Sequence, residues 1–86
     1  MYEQPVSLCQ LMMALSLEDG KAIMRALRFG ATITCRQIDR MGEQSYVLQG
    51  RVNDHSVMTL EHRKLGRDIV LDLNARLEPF LPHSVA

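Results

Sequence analysis

The chain has 86 residues, which is enough for one small domain and too short to enclose a second hydrophobic core. Apolar residues make up 47% of it and charged residues 23%, a composition that predicts a folded globular protein and not a disordered one. Ten basic and ten acidic residues cancel to a formal charge of zero, so any contact with nucleic acid or anionic lipid needs a local patch.

The N-terminal third predicts neither a membrane anchor nor an export signal. Its longest apolar run, residues 11–15, falls far short of the ~20 residues that cross a bilayer. Glu3, Gln4 and Pro5 stand where a secretory signal carries basic residues. We therefore expect a cytoplasmic protein without membrane contact. In the cytoplasm, cysteines such as Cys9 and Cys35 are normally reduced.

The first predicted element is an amphipathic helix that begins after Pro5, with Ser7 as its N-cap. Its apolar residues recur at i, i+3, i+4 and i+7, which is the spacing of one helix face. Cys9 and Met13 make further sides of the helix apolar, a pattern typical of a helix that is deeply buried or shared with a partner. We expect this helix to form a homodimer or partner interface. The interface residues are Leu8, Leu11, Met12, Met13 and Leu15.

A second helix is predicted after Ser16. This serine stands three residues before Asp19, an acidic variant of the capping box, and Gly30 suits the left-handed position just past the helix end. The alternative is a β-hairpin turned by Asp19 and Gly20, but the Ala, Leu and Met content favours the helix. The apolar stripe of the helix consists of Ala22, Ile23, Ala26 and Leu27.

After Gly30 the sequence changes to β-branched residues with a period of two. Tyr46, Leu48 and Val52 share one face of a predicted strand, and Ile69 alternates with acidic neighbours in the same way. Such short runs, separated by turns, are typical of an antiparallel meander. The predicted strands lie at about 31–38, 45–52, 56–62 and 68–74.

Polar and glycine-containing segments separate these runs. Turns are predicted at 41–44, 53–54 and 64–67, and residues 74–81 are expected to carry a short helical turn that ends at Pro82. The sequence therefore predicts an α+β domain, in which two short N-terminal helices pack on a four-stranded antiparallel β-meander.

Residues 34–47 also resemble the helix-turn-helix motif of DNA-binding proteins, with Gly42 at the turn. The resemblance implies a winged helix-turn-helix in which residues 56–73 form the wing. The apolar spacing on each side of the turn is about one residue shorter than this motif usually has. A β-hairpin explains the same residues and is preferred. In the helix-turn-helix alternative, the residues that read bases are Gln49, Arg51 and Asn53.

No catalytic residue, metal site or cofactor is expected. His55, His62, His83 and the cysteines lack the paired spacing of a zinc site, and the dispersed glycines form no phosphate-binding loop. The one catalytic hypothesis left is a Cys35 nucleophile activated by His55 or His62, which only the fold can bring together.

Six basic residues fall in the predicted sheet and its turns, and we expect them to gather along one edge. Such a patch would bind nucleic-acid phosphates or an acidic protein surface. No pair of aromatic residues accompanies it for base stacking, which disfavours the usual mode of single-strand recognition. The patch residues are Arg36, Arg40, Arg51, Arg63, Lys64 and Arg67.

The sequence thus predicts a small regulatory binding protein, and not an enzyme, that acts through nucleic acid or through the transcription and RNA machinery. The alternatives are a winged helix-turn-helix DNA-binding regulator and a protein-interaction module such as an adaptor, inhibitor or immunity-type protein. We expect a homodimer, because so short a chain buries only a modest core.

Overall fold

The structure of the protein is a computed structural model, which describes residues 2–81. It has an α+β fold in which helices pack on one face of a four-stranded antiparallel sheet. The predicted N-terminal helices and four-stranded sheet are confirmed. No helix within residues 2–81 is long and apolar enough to cross a membrane. The elements in chain order are β1 (Tyr2–Val6), α1 (Leu8–Ala14), α2 (Leu17–Arg28), β2 (Ala31–Arg40), β3 (Glu43–Val52), β4 (His55–His62), α3 (Arg67–Leu77) and a short 3₁₀ helix (Glu78–Phe80).

Both N-terminal helices begin at serine caps, as their sequence patterns predict. In α1 the Ser7 hydroxyl accepts a hydrogen bond from the Gln10 backbone N–H (3.1 Å), and the Gln10 side-chain oxygen accepts one from the Ser7 N–H (2.9 Å). In α2 the Ser16 hydroxyl accepts from the Asp19 N–H (3.2 Å). These bonds satisfy N–H groups that the first turn of a helix leaves unpaired. The alternative hairpin is wrong, because its turn residues lie inside α2.

Two tight hairpins join β2, β3 and β4. Met41 and Gly42 form the first loop with φ of 55° and 88°, and the Gly42 N–H donates to the Asp39 carboxylate (2.9 Å). Asn53 and Asp54 form the second, with φ of 52° and 66°. Two-residue loops with positive φ at both positions match the twist of antiparallel strands. The helix-turn-helix alternative is wrong, because its segment forms β2 and β3.

The fourth strand of the sheet is β1, and not residues 68–74 as the alternation of apolar and acidic residues predicts. That segment lies in α3, so the wing expected at 56–73 is also wrong. The same segment also has apolar residues at helical spacing, and burial follows that spacing, since Leu71 of the alternating set is 58% exposed. The buried residues of α3 are Ile69, Val70, Leu73 and Leu77.

The structure of the segments on either side of α3 is closer to what the sequence predicts. The predicted turn at 64–67 leads into the helix, with Gly66 as its N-cap. The helical turn expected at 74–81 is present as the end of α3 and the 3₁₀ helix. Pro82, where that turn was expected to end, lies outside the described residues.

β1 forms one edge of the sheet and carries little strand signal of its own. Four of its five residues are exposed, and Pro5 lies opposite Arg36 of β2. Proline lacks a backbone N–H, so an edge strand tolerates it where a central strand does not. The strand is fixed by its neighbour, because Val6 lies opposite Cys35 and packs against the core.

The hydrophobic core lies between the helices and one face of the sheet. Leu48 of β3 and Leu60 of β4 lie opposite each other and are buried in one cluster with Ile23 of α2 and Leu73 of α3. Gly50 allows close approach on this side, because a Cβ placed there would lie 3.3 Å from Leu77 Cδ2. The core therefore determines which face of the sheet remains free of helices.

Candidate binding face

The antiparallel register divides the side chains of the sheet between two faces. Because Leu48 and Leu60 point into the core, the residues next to them in sequence point the opposite way. We call this second surface, on the side away from the helices, the open face. It consists of Glu3 and Pro5 in β1; Thr32, Thr34, Arg36, Ile38 and Arg40 in β2; Glu43, Ser45, Val47, Gln49 and Arg51 in β3; and Ser56, Thr59 and Glu61 in β4.

Ion pairs join the strands across the half of the open face nearer the β2–β3 turn, which we call the charged half. Arg36 Nη1 lies 2.6 Å from Glu3 Oε1 and links β2 to β1. Arg40 Nη1 lies 2.7 Å from Glu61 Oε2, an oxygen that also accepts a hydrogen bond from the Ser45 hydroxyl (3.0 Å). The bonds from Ser45 and Arg40 lower the pKa of Glu61. Both guanidinium groups are thus paired with carboxylates of the same chain.

Two apolar side chains, Ile38 and Val47, lie beneath the charged half. They are only 4% and 3% exposed, although they lie outside the helix-side cluster. Glu3 lies directly opposite Ile38 and Arg36 directly opposite Val47, so the aliphatic stems of these charged side chains are their cross-strand neighbours. Arg36 Nε is also buried and has no hydrogen-bond partner within residues 2–81. The charged half is therefore a small second apolar cluster beneath ion pairs.

The other half of the open face, which we call the polar half, carries one charged residue, Arg51. Its side chains surround a depression of about 250 Å³. Arg51 Nη2 donates to the Asp54 carbonyl (2.9 Å), which holds the guanidinium beside the β3–β4 turn. Hydroxyl and amide groups both donate and accept hydrogen bonds, so the depression offers polar contacts of either kind. The residues around it are Thr32, Thr34, Gln49, Arg51 and Ser56.

The three basic residues predicted within the strands share the open face but do not form one patch. Arg36 and Arg40 lie in the charged half, and Arg51 lies in the polar half at the opposite end of the β2–β3 pair. Eight residues separate Arg51 from Glu43, the partner of Arg40, which corresponds to about 27 Å along a strand. The expected gathering of positive charge is therefore not found on this face.

The three basic residues predicted around the turn at 64–67 also lie away from the centre of the open face. Arg63 Nη2 is 4.0 Å from Glu43 Oε2, and Lys64 is exposed in the loop. Arg67 lies at the start of α3, where its Nη2 is 3.4 Å from Glu18 Oε2 of α2. The last of these contacts ties two helices together on the opposite side of the sheet from the open face.

The interface predicted on α1 is divided between the core and the surface. Leu11 is 1% exposed, and Met12 and Leu15 pack against the core cluster. Leu8 and Met13 point outward and are 44% and 81% exposed. Most of the apolar stripe therefore stabilises the monomer, and only two of its five residues remain available to a partner.

The structure does not bring Cys35 together with His62, one of the two bases that the catalytic hypothesis named. Cys35 is buried, and burial raises the pKa of its thiol to about 11, so the neutral thiol predominates at physiological pH. His62 lies two strands away, roughly 10 Å or more between Cα atoms, and its Nε2 is 2.9 Å from Asp72 Oδ2. This contact with His62 lowers the pKa of Asp72. Within residues 2–81 no three His, Cys, Asp or Glu side chains converge as metal ligands.

The sequence prediction named Gln49 and Arg51 of the polar half but missed its hydroxyl residues, Thr32, Thr34 and Ser56. These hydroxyl groups carry no charge, so a search for basic clusters passes over them. A signal was nevertheless present, because Thr32, Thr34 and Arg36 alternate with the more apolar Ile33 and Cys35. In an antiparallel strand with one covered face, such alternation marks the polar residues as outward-facing.

Comparison with protein-family models, with curated proteins and with solved structures finds no match for this chain. The functional argument therefore depends on the geometry and charge of the open face.

Proposed function

We propose that this protein is a small, non-catalytic regulatory binding protein that contacts a protein partner through its open face. The observation that supports this proposal is the make-up of the face: a sheet surface on the side away from the main core, with a depression lined by hydrogen-bonding side chains in one half and ion pairs above buried apolar residues in the other. Transient protein interfaces are on the whole about as polar as the rest of a protein surface, so a polar face of this kind is compatible with one. A partner in the transcription or RNA machinery and a cytoplasmic location remain predictions from the sequence.

The pairing of the basic residues favours a protein over a nucleic acid as the partner. Arg36 and Arg40 lie 2.6 and 2.7 Å from carboxylate oxygens, so binding to phosphates would exchange at least part of each ion pair for a phosphate contact. Glu3 and Glu61 would at the same time repel the negatively charged backbone. A protein partner needs no such exchange, because it can hydrogen-bond to the polar half and leave the ion pairs intact.

The buried Cys35 supports the non-catalytic part of the proposal. Its thiol is protonated at physiological pH and lies across the sheet from His62, so His62 does not serve as the adjacent base that a thiol nucleophile requires.

Site-specific photo-crosslinking in the source cell tests the proposal. A photoreactive residue is placed at Thr34 in the polar half and, as a matched control, at Lys21 on the exposed side of α2. We expect protease-sensitive adducts of discrete mass at position 34 and not at position 21, and we expect Arg51→Glu to abolish them. Equal adducts at both positions would refute the open face as the binding surface. Nuclease-sensitive adducts at position 34 would instead favour the nucleic-acid alternative.

A further inference from the structure

The two edges of the sheet differ in the features that prevent strand pairing. β1 has five residues and contains Pro5, and short edge strands with proline resist further pairing. β4 has eight residues without proline or lysine, and no strand within residues 2–81 pairs with its outer edge. Its acidic residue, Glu61, is already bonded to Arg40 and Ser45 on the inner side. β4 has a bulge at Val57, opposite Gly50 and Arg51, but residues 58–62 are regular and present backbone N–H and C=O groups to another strand.

We infer that β4 pairs with β4 of a second copy, in antiparallel orientation, to form a homodimer with a continuous eight-stranded sheet. A two-fold axis perpendicular to the sheet places the helices of both copies on the same side. With the axis at Thr59, Met58 of each copy opposes Leu60 of the other on the helix side, and the two Thr59 side chains meet on the open face. This arrangement places the dimer interface at β4 and not at α1, and it does not depend on the partner of the open face.

The helix layer fits this arrangement. α3 packs on β4, and its Leu77 also reaches Gly50 of β3, so the helix lies above the β3–β4 pair. Strands in a sheet repeat every ~4.8 Å, so two such helices would lie about 10 Å apart across the new strand pair. Packed helices lie roughly 8–10 Å apart. The two copies of α3 would therefore meet in contact without a clash or a gap.

The side of α3 that faces away from α2 carries one acidic and one basic residue. Two antiparallel copies of this helix therefore present opposite charges to each other. Arg67 faces α2, and Asp72 and Arg76 lie about 140° and 180° further around the helix, on the side away from α2. Asp72 Oδ1 is 3.7 Å from Arg76 Nε in the same chain. When two antiparallel copies of α3 meet midway between these residues, each Asp72 faces the other copy's Arg76. Opposite charges thus approach each other twice across the axis.

A lysine placed on the edge strand tests the inference. Thr59→Lys adds a charge to β4, and Gln49→Lys is the matched control, because Gln49 lies opposite Thr59 on the same face of an inner strand. By light scattering after size-exclusion chromatography, the wild type and Gln49→Lys should have about twice the monomer mass of 9.8 kDa. Thr59→Lys should raise the dissociation constant about tenfold or more, since like charges opposite each other destabilise strand pairs. A monomeric wild type at high micromolar concentration, or equal effects of the two lysines, would overturn the inference.

Hydrogen exchange on the wild type gives a readout that needs no variant to fold. The outward amides of β4 should become more protected as protein concentration rises, whereas those of β1 should not. Arg76→Glu should weaken the dimer, and Arg28→Glu, the same charge change on α2, should not. Protection of β4 that does not depend on concentration, or equal weakening by both glutamates, would count against pairing at this edge.

Discussion

The apolar cluster beneath the charged half makes a quantitative prediction for Ile38→Ala. Ile38 is 4% exposed but lies outside the helix-side cluster, so it should behave as a core residue although its neighbours on this face include charged side chains. The substitution removes three carbon groups, and at about 0.8 kcal/mol for each this gives a loss of about 2.4 kcal/mol. The stems of Arg36 and Glu3 can collapse into the space, so we expect little additional cost from a cavity.

Leu73→Ala is the matched comparison on the helix side. It also removes three carbon groups, but Leu73 is 0% exposed among close-packed neighbours that relax less, so we expect a larger loss of about 4 kcal/mol. Urea unfolding followed by circular dichroism measures both losses. A loss below about 0.5 kcal/mol for Ile38→Ala, the range of ordinary surface substitutions, would refute the core-like burial of Ile38.

Three further predictions concern individual groups. Ser7→Ala removes the α1 cap and should lower the free energy of unfolding by about 1 kcal/mol in urea titrations, whereas Ser7→Thr should retain most of it. The pKa of Asp72 is lowered in the folded protein, so its stabilising contribution is present above the unfolded carboxyl pKa of about 4 and is lost as the pH falls through the folded pKa. Asp72→Asn should therefore flatten the acid limb of a plot of unfolding midpoint against pH, and an unchanged limb would contradict the contact with His62. Under native conditions Cys9, which is exposed, should react with a disulfide reagent well before the buried Cys35, and both should react alike in denaturant.

The elements that the sequence predicted correctly are those specified by local interactions. Ser7 and Ser16 cap their helices through bonds to residues three positions away, so their effect is visible in a short window. The hairpin loops at 41–42 and 53–54 likewise depend on residues that tolerate positive φ. Such interactions need no knowledge of the remaining chain.

The elements that the sequence misassigned depend on contacts far along the chain. β1 contains Pro5 and is a strand because β2, about 30 residues later, pairs with it. Residues 68–74 alternate like a strand but become helical, because only a helix places Ile69, Val70 and Leu73 together on the core. No local sequence pattern indicates which of these long-range contacts the folded chain makes.

The difference between local and long-range contacts also explains which features of the candidate site were predicted from the sequence. The alternation in β2 was enough to place Arg36 and Arg40 on one face. Their neutralisation was not predictable, because the carboxylates that pair with them are 33 and 21 residues away in sequence. A basic cluster in the sequence is evidence for a nucleic-acid site only when the fold leaves its charges unpaired.

Pairing at β4 would also change the open face that a partner meets. In an antiparallel pair near Thr59, Ser56 of one copy lies close to Glu61 of the other, so the polar half of each copy adjoins the charged half of its mate. A partner that extends from one polar half across β4 would contact both copies and would therefore bind the dimer more tightly than the monomer. Linkage requires the reverse as well, so such a partner must increase the dimer fraction when it binds. Because Thr59→Lys acts on the edge and leaves Thr34 in place, it separates the two cases. A partner that spans both copies loses crosslinking at position 34 in this variant, and a partner confined to one copy retains it.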